Sequence, residues 1–180
     1  MQFRDLEEIE FVWYQPEKSI KKLQDEYSIH APELVIQQFY IDHRDKDEFI
    51  ELYGDLDLHQ LEWSLTFIPV TELIRLRDSA TYPKYIEEVS EYASMYAKWG
   101  DKAIDGREEV SNYWKKNGTW TTPPIFIDGR ILNKPTTSLH LVEGHTRVGC
   151  LQGLAKYKVI DIATEHQVYF GQYKKKALNK

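Results

Sequence analysis

Residues 139–154, LHLVEGHTRVGCLQGL, constrain the fold more than any other stretch of the chain. The apolar run 139–142 predicts a strand, and Gly144 predicts a sharp break in the backbone. Val148, Leu151 and Leu154 then recur at three-residue spacing, which predicts a helix from about Thr146 to Leu154 with one apolar face. Gly149 and Gly153 lie inside that helix, where each costs about 1 kcal/mol against alanine. Their presence predicts a helix pressed tightly onto a neighbouring strand. A strand that passes through glycine into a close-packed helix belongs to an α/β (α+β) protein.

At 180 residues, the chain is long enough for one domain with a substantial core. Its 42% hydrophobic content excludes a disordered chain. Cys150, the single cysteine, cannot form an internal disulfide, which points to a reducing compartment. The opening MQFRDLEEIE is acidic and unlike a secretory leader. No apolar stretch approaches the roughly 20 residues of a membrane span, so a cytoplasmic protein without a membrane partner is expected. Charge is uneven: residues 1–60 hold 15 Asp/Glu against 6 Lys/Arg, whereas residues 101–180 hold 8 against 13. The segment that carries the glycine turn is therefore mildly basic; such a segment can attract phosphates, but the charge balance by itself says only that solvated faces differ in sign.

Along the chain, Glu10–Tyr14 is rich in β-formers and predicts a short strand before Pro16. EKSIKKLQDEY and PELVIQQFYI predict two helices, and HRDKDE at 43–48 a solvated turn. LEWSLTFIPV alternates as a strand and leads into a short helix, VTELIRLRD. Ser79 or Thr81 is a candidate cap, with Pro83 in the first turn, for a long helix ending at Gly100. That helix carries Tyr85, Ile86, Val89, Tyr92, Ala93 and Tyr96 as one core stripe. Asp105–Glu108 resembles a capping box for a helix ending at Gly118. Ile125–Ile127, Lys158–Ile162 and Val168–Phe170 predict further strands, and YKKKALNK a basic tail.

The glycine turn has the chemistry of an anion site. The first N–H groups of a helix lack intrahelical partners and lie at the positive end of its dipole. Thr146 can cap the helix or bond an oxygen. Arg147 places a cation where the dipole disfavours it, and a bound phosphate would supply the reason. His145 is a candidate donor or acid/base group, and Glu143 a candidate general base, magnesium ligand or partner of Arg147.

The order of three stretches resembles the ParB/sulfiredoxin superfamily over about residues 63–165. They are FIPVTEL at 67–73, NG at 117–118 followed by TTPPIFIDGRIL, and LHLVEGHTRVGCLQGL. The resemblance implies a small mixed sheet with surrounding helices over 61–171. An acidic helical extension over 1–60 would pack on that core, and a basic tail would cover 172–180. It also implies that Gly144, His145, Thr146 and Arg147 bind nucleotide phosphates, ATP or CTP, with Asp128 nearby in the preceding hairpin. Glu143 takes an acidic position that some members use in catalysis or for metal, so Glu143 and His145 are the implied catalytic residues and magnesium the implied ion.

Several departures matter. Sulfiredoxins carry a reactive cysteine immediately before the box histidine, where this chain has Gly144, so sulfinic acid repair is not expected. Too little sequence follows the last predicted strand for the DNA-binding domain of partition proteins, so DNA is not an expected partner. The resulting expectation is a nucleotide- or phosphate-binding protein, in one form a phosphotransferase or nucleotide hydrolase. The alternatives are a non-catalytic immunity protein or antitoxin whose acidic N-terminal third meets a basic toxin, and a ParB-like nuclease. A metal set of His140, Glu143 and His145 ranks last, because the spacing fits no zinc pattern.

Overall fold

The computed structural model describes residues 1–12, 14–76 and 84–174. The protein is a mixed α/β chain with a four-stranded sheet in the order β1-β4-β2-β3, where β1 is Leu61–Pro69, β2 Ile125–Ile127, β3 His140–Glu143 and β4 Glu165–Tyr173. The chain forms two compact units. Residues 1–64 cluster with 125–143 and with the chain from Tyr169, whereas 65–124 cluster with 144–168.

In the first unit the core is aromatic. After a 3₁₀ turn, Phe3–Glu8, comes helix α1 (Pro16–Asp25), which buries Ile20 and Leu23. Helix α2 (Glu33–Val35) widens into a π-helical segment, Ile36–Ile41, that brings Phe39 and Tyr40 inward. Helix α3 (Asp47–Tyr53) adds Phe49 and Tyr53. Phe3 stacks on Phe39 at 5.0 Å, and Phe39 meets Tyr53 edge-on at 5.1 Å. Strand β2 is fully buried, antiparallel to β3 (Ile127↔His140) and parallel to β4 (Ile127↔Gly171).

In the second unit, helix α4 (Val70–Leu73) follows β1, and α5 (Tyr85–Glu91) runs on through a 3₁₀ turn into α6 (Tyr96–Trp99). Helix α7 (Glu108–Asn117) ends at Gly118. Helix α8 (His145–Tyr157) buries Val148, Leu151 and Leu154 as its spacing predicts. A Cβ on Gly149 would lie 2.9 Å from the Ile86 carbonyl oxygen, and one on Gly153 2.2 Å from that of Ser90. The glycines therefore serve a close approach to helix α5, not to a strand as the sequence led us to expect.

Other expectations also fail for identifiable reasons. Residues 10–12 form no strand; instead the Val12 amide donates to Ser19 Oγ, and Phe11 lies under the Arg44 guanidinium at 5.0 Å. The charged run 43–48 is not merely a solvated turn, because His43 and Arg44 are buried and Asp47 opens α3. Residues 158–162 form no strand. Lys158 adopts a left-handed conformation that stops α8, and the Ala163 amide donates to Gly118 O at 3.1 Å, turning the chain back to α7. Of the tyrosine stripe, Ile86, Val89 and Ala93 are buried, whereas Tyr85 and Tyr92 are exposed. Asp105 makes no capping box; its carboxylate binds the Arg107 amide and guanidinium instead. The cap candidates Ser79, Thr81 and Pro83 lie outside the described residues, as does the tail from residue 175.

Candidate functional site

The glycine turn begins where the sequence places it, with two shifts: Glu143 is the last residue of β3, and α8 already starts at His145. Gly144 is the N-cap, at φ 104, a left-handed conformation that side chains resist. A Cβ there would also sit 2.5 Å from Pro124 Cβ, so the close approach allowed by Gly144 is taken by the loop before β2. Arg147 serves the same loop. Its NH1 donates to Thr122 O at 3.1 Å and to Pro123 O at 3.2 Å, which fixes the TTPP segment against the start of α8. The cation at this helix start thus has a structural partner, a role the spacing alone did not reveal. His145 is buried, and its backbone amide is the first of the helix. Thr146 is exposed, with Oγ1 3.0 Å from Tyr85 Oη.

Thr146 and Tyr85 line a cavity of about 290 Å³ within the second unit, together with Tyr92, Lys102, Asp105 and Cys150. This is just under the roughly 300–1,000 Å³ typical of small-molecule sites. The cavity offers two phenol rings, a threonine hydroxyl on the first turn of a helix and a lysine. Asp105 brings little net charge, since Arg107 holds its carboxylate at 2.9 Å and depresses its pKa. The Cys150 thiol is pushed up to about 12 by burial and then by the charge of Asp105, and it donates to Ile104 O at 3.5 Å. It is therefore a protonated core group and not a nucleophile. A larger cavity, about 470 Å³, lies by Ile74, Leu76 and Ile86. Two of its polar groups are committed: Gln152 donates to the Leu73 and Leu76 carbonyls, and Lys156 pairs with Glu91.

In the first unit, Glu143 meets His43, with Nε2 and Oε2 3.4 Å apart. His140 is buried away from solvent, its Nε2 2.8 Å from Tyr53 Oη and its Nδ1 3.1 Å from Thr136 Oγ1. Asp128 caps the 3₁₀ turn Gly129–Ile131 and is paired with Arg130 at 2.7 Å, which lowers its pKa. Among the described residues no group of three or more His, Cys, Asp or Glu is arranged to hold a metal ion. Nor, among them, is any helix long and apolar enough to cross a membrane. Sequence reasoning missed Tyr85 and Lys102 at the cavity and His43 beside Glu143. Only Tyr85 carried a signal, as an aromatic one helical turn before Val89.

Fold and site together define a mixed α/β protein in which Gly144 opens helix α8 and Thr146, in the first turn of that helix, lines a small cavity. The chain matches no protein-family model, no curated protein and no solved structure.

Proposed function

We propose that the protein binds a nucleotide or another small phosphorylated ligand at the first turn of α8, as a ParB/sulfiredoxin-like protein. The observation that carries this reading is the cavity that joins Thr146, at the second position of a 13-residue helix, to Lys102 and the Tyr85 hydroxyl. The helix start and the lysine favour an anion, and the tyrosines offer faces for a base. ATP or CTP is the ligand implied by the resemblance, and magnesium would accompany it through phosphate oxygens and a carboxylate. Glu143 is the proton acceptor of the enzymatic form of this reading, a phosphotransferase or nucleotide hydrolase. Arg147 contributes by holding the TTPP loop at the helix start.

The test is a thermal-shift and calorimetric series with ATP, CTP, GTP and ADP, with and without Mg²⁺, on wild type, Lys102→Ala and Arg147→Ala. Stabilisation by one nucleotide, weakened in Lys102→Ala, is expected. No stabilisation by any of them overturns the reading.

A second reading, a non-catalytic binder of a basic protein, draws on one observation. Of the 15 acidic residues in 1–60, all but Asp57 are exposed, while the cation Arg44 is buried. Affinity capture of a basic protein by wild type, lost when Glu7, Glu8 and Glu17 become Gln, favours this reading over the first. Capture that is unchanged by those substitutions counts against it.

A further inference from the structure

We propose that His43 is a positioning residue for Glu143. The proposal rests on the reading of Glu143 as a proton acceptor.

The pair is built within the first unit from residues 100 positions apart. His43 follows the π-helical segment Ile36–Ile41, a local distortion that recurs at functional sites. Its ring lies flat on Phe49, with centroids 3.9 Å apart and planes 3° from parallel. Its side chain is 9% exposed, while that of Glu143 is 29% exposed. The buried partner is therefore the imidazole, and the carboxylate is the group that reaches outward. His43 Nδ1 is buried and has no hydrogen-bond partner among the described residues.

That nitrogen selects the tautomer. With hydrogen on Nδ1, the ring would bury an N–H that finds no acceptor there and would turn the Nε2 lone pair toward a carboxylate oxygen. With hydrogen on Nε2, it donates to Glu143 and leaves a lone pair in the interior. Stacking on Phe49 fixes the ring plane, so the N–H points at one carboxylate oxygen. At 3.4 Å the contact is long for a hydrogen bond, which suits orientation more than strength. His43 thus holds one rotamer of a partly exposed carboxylate, as the partner of a general base must.

Two NMR observations on the full chain test this. Long-range ¹⁵N–¹H spectra of the wild type should show His43 with hydrogen on Nε2. The χ1 couplings of Glu143 should report a single rotamer in the wild type and averaging in His43→Phe, which keeps the stacking but removes the donor. His43→Gln returns an N–H donor and should recover part of the order, an outcome that packing alone would not produce. Hydrogen on Nδ1 in the wild type, or unchanged Glu143 couplings in a folded His43→Phe, overturns the proposal. If His43→Phe does not fold, the wild-type tautomer decides. Nucleotide titration of the same samples separates this proposal from the ligand reading. Absent binding with an intact Nε2–H tautomer refutes the ligand alone, and intact binding with the wrong tautomer refutes the positioning role alone.

Discussion

The interiors of the two compact units are built by opposite means. In the first, large rings fill the interior: Phe3, Phe39, Phe49 and Tyr53 meet at centroid distances of 5.0 to 6.4 Å. In the second, α5 and α8 meet where side chains are missing, at Gly149 and Gly153. A ring-filled core is damaged by removing atoms, a glycine seam by adding them. The candidate ligand cavity lies in the unit with the seam, beside the same two helices.

Phe39→Ala provides the largest test of this contrast. It empties the centre of the first unit and should cost about 3–5 kcal/mol, read by urea denaturation. A loss below about 1 kcal/mol would mean that the rings do not carry the unit.

Acid comes next and acts on the second unit. His166 is fully buried, with Nδ1 2.8 Å from Thr119 Oγ1 and Nε2 without a partner among the described residues. Burial lowers its pKa from 6.5 to about 4, against an opposing hydrogen bond with the Ala163 backbone. Between those values the unfolded chain takes up a proton that the folded one refuses. The stabilisation is therefore complete above pH 6.5, declines as pH falls toward 4 and levels off below it, a loss of roughly 3 kcal/mol. Hydrogen exchange should show second-unit amides loosening across that window, and His166→Asn should flatten the dependence.

Gly153→Ala is smaller and has a telling sign. Helix propensity alone predicts a gain of about 1 kcal/mol. The clash with the Ser90 carbonyl should reverse this to a net loss of about 1–3 kcal/mol in thermal unfolding. A stabilised variant would mean that the seam is looser than described. The smallest effect is at the cavity, where Glu88 adds a negative charge to the lining. Glu88→Gln should tighten binding of a phosphorylated ligand by up to about fivefold, as expected for one exposed charge, when followed by calorimetry.

Much of this architecture was legible in local patterns. Strand β1 shows in the alternation from Leu61, and α8 in the spacing of Val148, Leu151 and Leu154. The turn was legible because Gly144 breaks a strand that leads directly into a helix. What failed depended on distant partners. Phe11 has the propensity of a strand residue, but its ring lies against Arg44, and a strand needs a neighbour to pair with. His43 reads as part of a charged surface run until Phe49 and Glu143 close around it. The hold of Arg147 on the loop before β2 was not legible beside the phosphate role its position suggests, because the carbonyls it binds, Thr122 and Pro123, are 25 and 24 residues away in sequence. Lys102 carried no signal, since nothing local marks a lysine as the wall of a cavity.

The central claim is that a phosphorylated ligand sits at the first turn of α8. The most direct measurement is a ¹H–¹⁵N titration of the full chain with ATP and CTP, with and without Mg²⁺. The account predicts saturable shifts concentrated at Thr146, Arg147 and Lys102, and at Gly106, which also lines the cavity. No shifts, or shifts confined to residues 1–60, would contradict it.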